Sequence, residues 1–494
     1  MFMEKKYYPT IGLEIHAELK TNTKMFCSCK NDPDEEKPNV NICPVCMAHP
    51  GALPVLNKKA IENVIKVGLA LGGKIADFTE FDRKNYFYPD ISKGYQISQY
   101  KYPIVSGGHL ADFNITRVHL EEDTANNKHR KEILPEVRPR GNSPRSDLGY
   151  SLIDFNRAGV PLLELVTEPH TFENMEDTAK ITTKFTKEFQ LILWYLGVSE
   201  ANMDKGEMRV EANISISTDL KILGTKVEVK NLNSFKSVER AILFEVDRMI
   251  DLCEAGKGEE IVQETRGWDE AKQKTFSQRK KEGSADYRYF PDPDLPKIKL
   301  HEAFDLEKMK RELPELPDRK RARYKKDFEI KDENVEVYIN DKTLGIYFEN
   351  VAKILGEKGK IQIASNLITS DFLGLKKINL DIKCPSANNF AELINLFNEN
   401  KISSRVVKDI LAMIVIVDDS PLKIATQKNL LQSSDENALK EIAQKIIDSN
   451  IKVVTDYKGG KEQALMSLVG QIMKETKGSA NPAVAKQVLI NLLK

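Results

Sequence analysis

The stretch IGLEIHAELK, residues 11–20, alternates apolar Ile11, Leu13, Ile15, Ala17 and Leu19 with polar Glu14, His16, Glu18 and Lys20. A period of two marks a strand with one face in a core and the other free to carry charge. Glu14 and His16 lie two residues apart, so their side chains point to the same side. MRVEANISIS (208–217) and TKVEVKN (225–231) alternate in the same way. A short polar connection containing Gly224 joins them, which predicts an antiparallel pair. Between the strands lie helical patterns. AIENVIKVGLALGG (60–73) ends on glycines, and SFKSVERAILFEVDRMIDLC (234–253) is a long amphipathic helix that Ser234 is placed to cap. Strands, turns and helices mixed in this way predict an α+β domain.

The composition changes near residue 290. YFPDPDLPKIKL carries three prolines in a short span, and charged helical stretches such as HEAFDLEKMKRELPELPDRKRARYKKDF follow with few strand signals. We therefore expect a mixed sheet-and-helix domain over 1–295, a helical domain over 296–400 and a compact helical tail over 401–494. In the tail ENALKEIAQKIIDSN and EQALMSLVGQIMKETKG read as amphipathic helices, and GSANPAVAKQVLINLLK has Asn481 as N-cap and Pro482 at the first helical position.

The chain has 494 residues, 41% hydrophobic and 30% charged, the profile of a folded multidomain protein. No apolar run approaches the roughly 20 residues of a membrane span. The opening MFMEKKYYPT leads at once into a strand pattern, leaving no room for a targeting peptide, so a cytoplasmic location is expected. Lys+Arg and Asp+Glu both number 74, so a nucleic-acid partner must be engaged through local basic patches. From Ile451 onward seven lysines face three acids, a local positive excess.

Four of the six cysteines fall within CSCKNDPDEEKPNVNICPVC, 27–46. Cys27-x-Cys29, thirteen residues, then Cys43-x-x-Cys46 is a spacing that closes a tetrahedral zinc site, and four sulfurs leave no position for substrate. Ordinary thiols or a redox C-x-x-C are the alternatives. The second candidate is carboxylate chemistry. In ITRVHLEEDT (115–124) Arg117, His119 and Glu121 share one face while Val118 and Leu120 turn inward, and VPLLELVTEP (160–169) offers Glu164. Carboxylates with an imidazole suit Mg2+ if they converge on Glu14 and His16; otherwise they are solvated strand faces. FDRKNYFYPDISKGYQISQY (81–100) interleaves aromatic rings with Arg83, Lys84 and Lys93, a pattern for stacking a base, lining a polar passage or walling a core. On the hairpin Arg209, Glu211 and Asn213 face Lys226, Glu228 and Lys230, either as cross-strand pairs or as a receiver of phosphates. No P-loop, dinucleotide fingerprint, G-x-S-x-G or kinase signature is present, so any use of ATP is made without a P-loop.

Read in order, IGLEIHAELKT, FDRKNYFYPDISKGYQISQ, RVHLEED, DFNRAGVPLLELVTEP, GTKVEVKNLNSF, QETRGWD and DYRYFPDPDLP resemble the B-subunit family of the aspartyl/glutamyl-tRNA amidotransferases (GatB). The tail LVGQIMKETKGSANP resembles that family's YqeY-like tRNA-binding module. The resemblance implies one component of an ATP-dependent ligase. It would phosphorylate the misplaced carboxylate of Glu-tRNA(Gln) or Asp-tRNA(Asn) and amidate it with ammonia. The family's glutaminase, the A subunit, would supply the ammonia, and the small C subunit would complete a heterotrimer. The resemblance also implies Mg2+ held by Glu14, His16, one of the adjacent acids Glu121 and Glu122, and Glu164, with Glu121 preferred because strand parity sets it on the face of His119. Lys84 and Lys93 match residues at the mouth of an ammonia channel. Zinc at Cys27, Cys29, Cys43 and Cys46 would pin a loop beside the catalytic cradle as frame. We add Arg209, Lys226 and Lys230 as phosphate contacts, and Lys458, Lys461, Lys474 and Lys477 as contacts to tRNA phosphates. The competing reading is a tRNA-binding scaffold without chemistry, which needs no converging metal set.

Overall fold

The structure is a computed structural model and describes residues 6–130, 150–280, 287–432, 436–476, 480 and 482–493. The chain forms two compact units, Met1–Pro317 and Asp318–Lys494.

The first unit is organised around β1 (Tyr8–Glu18), the strand foreseen from its alternation. Helix α1 (Lys58–Ala70) follows, capped by Asn57, whose side chain accepts from the amides of Lys59 and Ala60. Two short strands, β2 (Asp82–Asn85) and β3 (Tyr95–Ser98), form a separate antiparallel pair. The long β4 (Phe113–Glu122) and β5 (Pro161–Thr167) precede α2 (Met175–Leu196). The predicted hairpin is β6 (Met208–Ser217) and β7 (Val227–Leu232), antiparallel with a register shift between Val210 and Ala212. A Cβ on Gly224 would fall 2.0 Å from the Ile216 carbonyl oxygen, so the chain can return beside β6 only with glycine there. Ser234 caps α3 (Phe235–Glu254) as expected, accepting from the Ser237 amide. The edge strands β8 (Glu264–Asp269) and β9 (Lys274–Lys280) complete the order β9-β8-β7-β6-β1-β5-β4, with only β7 and β8 parallel along this run.

The sheet is two-faced because the side chains alternate. Ile11, Leu13 and Ile15 of β1, Leu163 and Leu165 of β5, and Val118 and Leu120 of β4 are buried in one core with residues of α1, α2 and α3. The opposite face carries the acids and bases. Leu300 is buried in the same core, with Phe304, Leu306 and Met309 packed against it, so this unit continues beyond the proline run.

The second unit is helical. Its last part has its own apolar cluster, including Leu439, Leu465, Leu468, Ile472 and Leu489, formed by helices Glu436–Ser449, Glu462–Glu475 and Pro482–Leu493. Pro482 opens the last helix; Asn481 lies outside the described residues. Among the described residues no helix is long and apolar enough to cross a membrane.

Candidate active site

Sheet register builds the site. Glu164 of β5 pairs with His16 of β1 on one side and with His119 of β4 on the other, so three strands present one row of side chains. His16 Nε2 stands 3.3 Å from Glu164 Oε2 and 3.5 Å from Glu121 Oε1, and His119 Nε2 stands 3.3 Å from the same Glu164 oxygen. One donor atom from each of His16, Glu121 and Glu164 falls within 4.8 Å of the others. Ser98 Oγ donates to Glu121 Oε2 at 3.2 Å and steadies it. Burial works against a charged His16 ring, yet Glu164 and Glu121 outweigh it and raise its pKa to about 9. Burial likewise opposes the Glu164 carboxylate, and the two imidazoles still hold its pKa well below the usual carboxylate range.

The adjacent acids of β4 part company. Glu121 joins the cluster, whereas Glu122 takes the Lys93 ammonium at 2.7 Å and the Ile97 amide at 2.9 Å. Glu14 shares the face of His16, but its Oε1 accepts from Asn213 Nδ2 at 2.9 Å, and it is outside the group that converges within 4.8 Å. Lys84 lies over the rings of Tyr86 and Tyr287, 5.8 and 5.4 Å from their centroids. Burial would neutralise this ammonium; Glu121, the Tyr289 hydroxyl and Glu164 reverse that and raise its pKa above the ordinary lysine value. Tyr287 and Tyr289 arrive with a two-residue strand, Phe290–Pro291, that pairs with β2. Lys93 lines a cavity of about 240 Å³ together with Cys27, Cys46 and Tyr95.

Cations border the cluster on its other side. Arg209 is the register partner of His16 and bonds Asp123 Oδ2 at 2.6 Å. Lys230 bridges Glu211 and Glu228. Lys226 is exposed just before β7. Asp123, Arg157, Tyr287 and Tyr289 were not singled out from the sequence, although each lies inside a motif quoted above.

The cysteines converge as well. Cys27, Cys29, Cys43 and Cys46 bring their sulfurs within 4.8 Å of one another, with Cys43 and Cys46 3.9 Å apart. A tetrahedral ion with bonds of about 2.3 Å sets its sulfurs about 3.8 Å apart, so the set fits zinc. The hydrogen bond from Cys27 draws the Cys46 thiol down to about 5 and drives the Cys27 thiol up. The loop is stitched to the turn before β5. Asn156 Oδ1 accepts from the amides of Val40 and Asn41, each at 2.9 Å, and Asp154 Oδ1 accepts from Asn39 N at 2.9 Å.

In the helical tail Lys458, Lys461 and Lys474 are exposed, Lys461 pairing with Asp456 at 3.0 Å; Lys477 lies outside the described residues.

Residues 9–305 match the family model of the GatB/GatE catalytic domain, and residues 347–493 match that of the GatB domain. The chain is 41% identical over 500 residues to the B subunit of the aspartyl/glutamyl-tRNA(Asn/Gln) amidotransferase of Thermotoga maritima, covering 99% of both chains. It belongs to the GatB family. The proteins of the same name from Picosynechococcus sp. and Persephonella marina are 40% and 39% identical, with 99% of this chain covered in each case. The GatB/GatE catalytic match contains the His16–Glu121–Glu164 cluster and the cysteine loop, and the GatB domain match contains the tail lysines. As a GatB chain, the protein is one component of an amidotransferase, a tRNA-dependent ligase.

Proposed function

We propose that this chain activates the misplaced side-chain carboxylate of Glu-tRNA(Gln) or Asp-tRNA(Asn) with ATP and converts it to the amide. A carboxylate oxygen is too basic to leave when ammonia attacks. Its attack on the γ-phosphorus of ATP expels ADP and makes that oxygen part of a phosphate. Ammonia then adds to the carbonyl carbon, phosphate departs with the bonding pair, and a proton is lost to solvent. The observation that carries this reading is the convergence of His16, Glu121 and Glu164 on a sheet face flanked by Arg209 and Lys84.

Two oxygen donors and one imidazole, close enough to share an ion, fit Mg2+. His16, Glu121 and Glu164 would hold it, with Glu14 from the next place along the same face of β1. A bound Mg2+ supplies neutralising charge for phosphate oxygens. The protein's own part is positional. Arg209 and Lys230 offer donors to phosphate on the β6–β7 side, Lys226 adds a solvent-screened charge at its rim, and Lys84 holds a fixed positive charge beside the acids. The Lys93–Glu122 pair closes one wall of the site, where the ammonia released by the glutaminase partner, the A subunit, would enter. The C subunit completes the assembly. Zinc in the cysteine set would have all four positions filled by sulfur and acts as frame. The tail beyond residue 401 binds the tRNA backbone through lysines such as Lys458, Lys461 and Lys474.

The test is phosphate release from ATP by the chain assembled with its glutaminase partner and the small third protein, with and without Glu-tRNA(Gln), for the native protein and for Glu164→Gln and His16→Ala. Release that requires the misacylated tRNA and disappears in both variants is the expected result. Release that survives both would leave this chain a tRNA-binding scaffold.

A further inference from the structure

Asp123 is buried at the end of the LEED run, and the cluster of His16, Glu121 and Glu164 makes no direct use of it. Its Oδ2 receives two guanidinium groups at once, Arg209 Nη2 at 2.6 Å and Arg157 Nη2 at 2.7 Å. Its Oδ1 accepts from the Thr124 amide at 2.9 Å. Both carboxylate oxygens are therefore committed.

The two arginines are held differently. Arg157 also pairs with Glu18, so it is anchored twice. Among the described residues the Arg209 side chain hydrogen-bonds only to Asp123, and 41% of it is exposed. It stands opposite His16 across β1 and β6, on the face of the cluster. An untethered arginine there would sample many rotamers and lose that freedom on meeting a ligand. Here the tether uses one nitrogen, and the remaining N–H donors stay available.

We propose that Asp123 is a positioning residue: it fixes the Arg209 guanidinium beside His16 so that the free donors receive a phosphate oxygen of the nucleotide. This rests on the reading that ATP is consumed on this face. Arg157, itself paired with Glu18, locks Asp123 in turn.

The experiment compares the native chain, Asp123→Asn, Arg209→Ala and the double variant, each assembled with its partner proteins. Two readouts are taken: the dissociation constant for Mg2+ with a non-hydrolysable ATP analogue, and KM against kcat for tRNA-dependent phosphate release. Arg209→Ala is expected to weaken analogue binding and raise the KM for ATP by about tenfold or more, the weight of a charge-assisted hydrogen bond. Asp123→Asn should do the same with kcat changed less than KM. The double variant should be no worse than Arg209→Ala alone, because Asp123 acts only through Arg209. A general structural role would make the two losses add, and that result overturns the inference. Should Asp123→Asn fail to fold, Arg209→Ala and Arg209→Lys at a half-exposed position decide: unchanged analogue binding in both overturns it. A native protein that neither binds the analogue nor releases phosphate overturns the underlying reading, and this inference with it. A native protein that does both, with the arginine variants unaffected, overturns the inference alone.

Discussion

The cysteine loop and the charged sheet face both gather metal-ligating side chains, and they do so in opposite ways. The loop brings four identical soft donors from one short segment, 27–46, so proximity in sequence nearly guarantees proximity in space. The face collects an imidazole and two carboxylates from β1, β4 and β5, far apart in the chain, and only antiparallel register unites them. A set of four sulfurs has no room for a further ligand, whereas three donors, bordered by Arg209 and Lys84, fill only part of an ion's coordination. On the proposed reading the loop would serve as a clasp and the face as the workplace.

Glu164→Gln should break that contrast most severely. Glu164 Oε2 is the acceptor shared by His16 and His119. Replacing a carboxylate oxygen by an amide keeps the shape and removes the charge. The tRNA-dependent phosphate release should fall by about 10² to 10³-fold, the usual loss when one electrostatic group of a reacting site is deleted. Release within threefold of native would move the chemistry off this face.

The strands and the clasp were legible because their signals are local. A period of two requires only neighbouring residues, and C-x-C with C-x-x-C is a spacing. Parity along β4 was enough to set Glu121 with His119, and in the structure Glu121 does stand beside His16 while Glu122 turns to Lys93. What parity does not give is register. That Glu164 falls between two histidines, that Tyr287 closes over Lys84, and that Asp123 reaches Arg209 across 86 positions all depend on which strands become neighbours. Glu14 illustrates the limit: it is on the right face, but Asn213 holds its carboxylate.

Proton linkage at His16 gives the next largest effect, in protein freed of Mg2+ without a chelator so that any zinc on the cysteine loop is left in place. The folded-state pKa of His16 is raised from 6.5 to about 9, so its contribution to stability is fully present below pH 6.5 and is lost as pH rises through 9. A shift of that size is worth about 3 kcal/mol as an upper bound, since Glu164 shares the interaction. Thermal unfolding followed from pH 6.5 to 9.5 should show a steeper fall in the native protein than in His16→Gln, and saturating Mg2+ should flatten it. Parallel curves would mean that the ring carries no proton there.

On the clasp side, Asn156→Ala removes the acceptor of the Val40 and Asn41 amides and the donor to the Lys37 carbonyl oxygen, at 2.9, 2.9 and 2.7 Å. Losing these bonds at a residue 1% exposed should cost about 2 kcal/mol. Limited proteolysis should then cut within residues 30–42 while zinc, measured by metal analysis, stays bound by the cysteines. Phosphate release should drop less than tenfold. A loss as deep as that of Glu164→Gln would make the clasp part of the chemistry and erase the distinction between the two regions.

The smallest effect should come at the rim of the face. Lys226 is exposed, so its charge acts through solvent and is screened over about 8 Å at physiological salt. Arg209, by contrast, is fixed to a buried carboxylate beside His16. If phosphate is gripped by ordered donors, Lys226→Ala should change the KM for ATP by no more than about threefold, under 1 kcal/mol. What remains should fade further when salt is raised, because a screened charge loses its reach while a hydrogen bond keeps its geometry. A tenfold rise in KM that persists at high salt would extend the phosphate site to the mouth of β7, and the working face would then be wider than the tethered arginine implies.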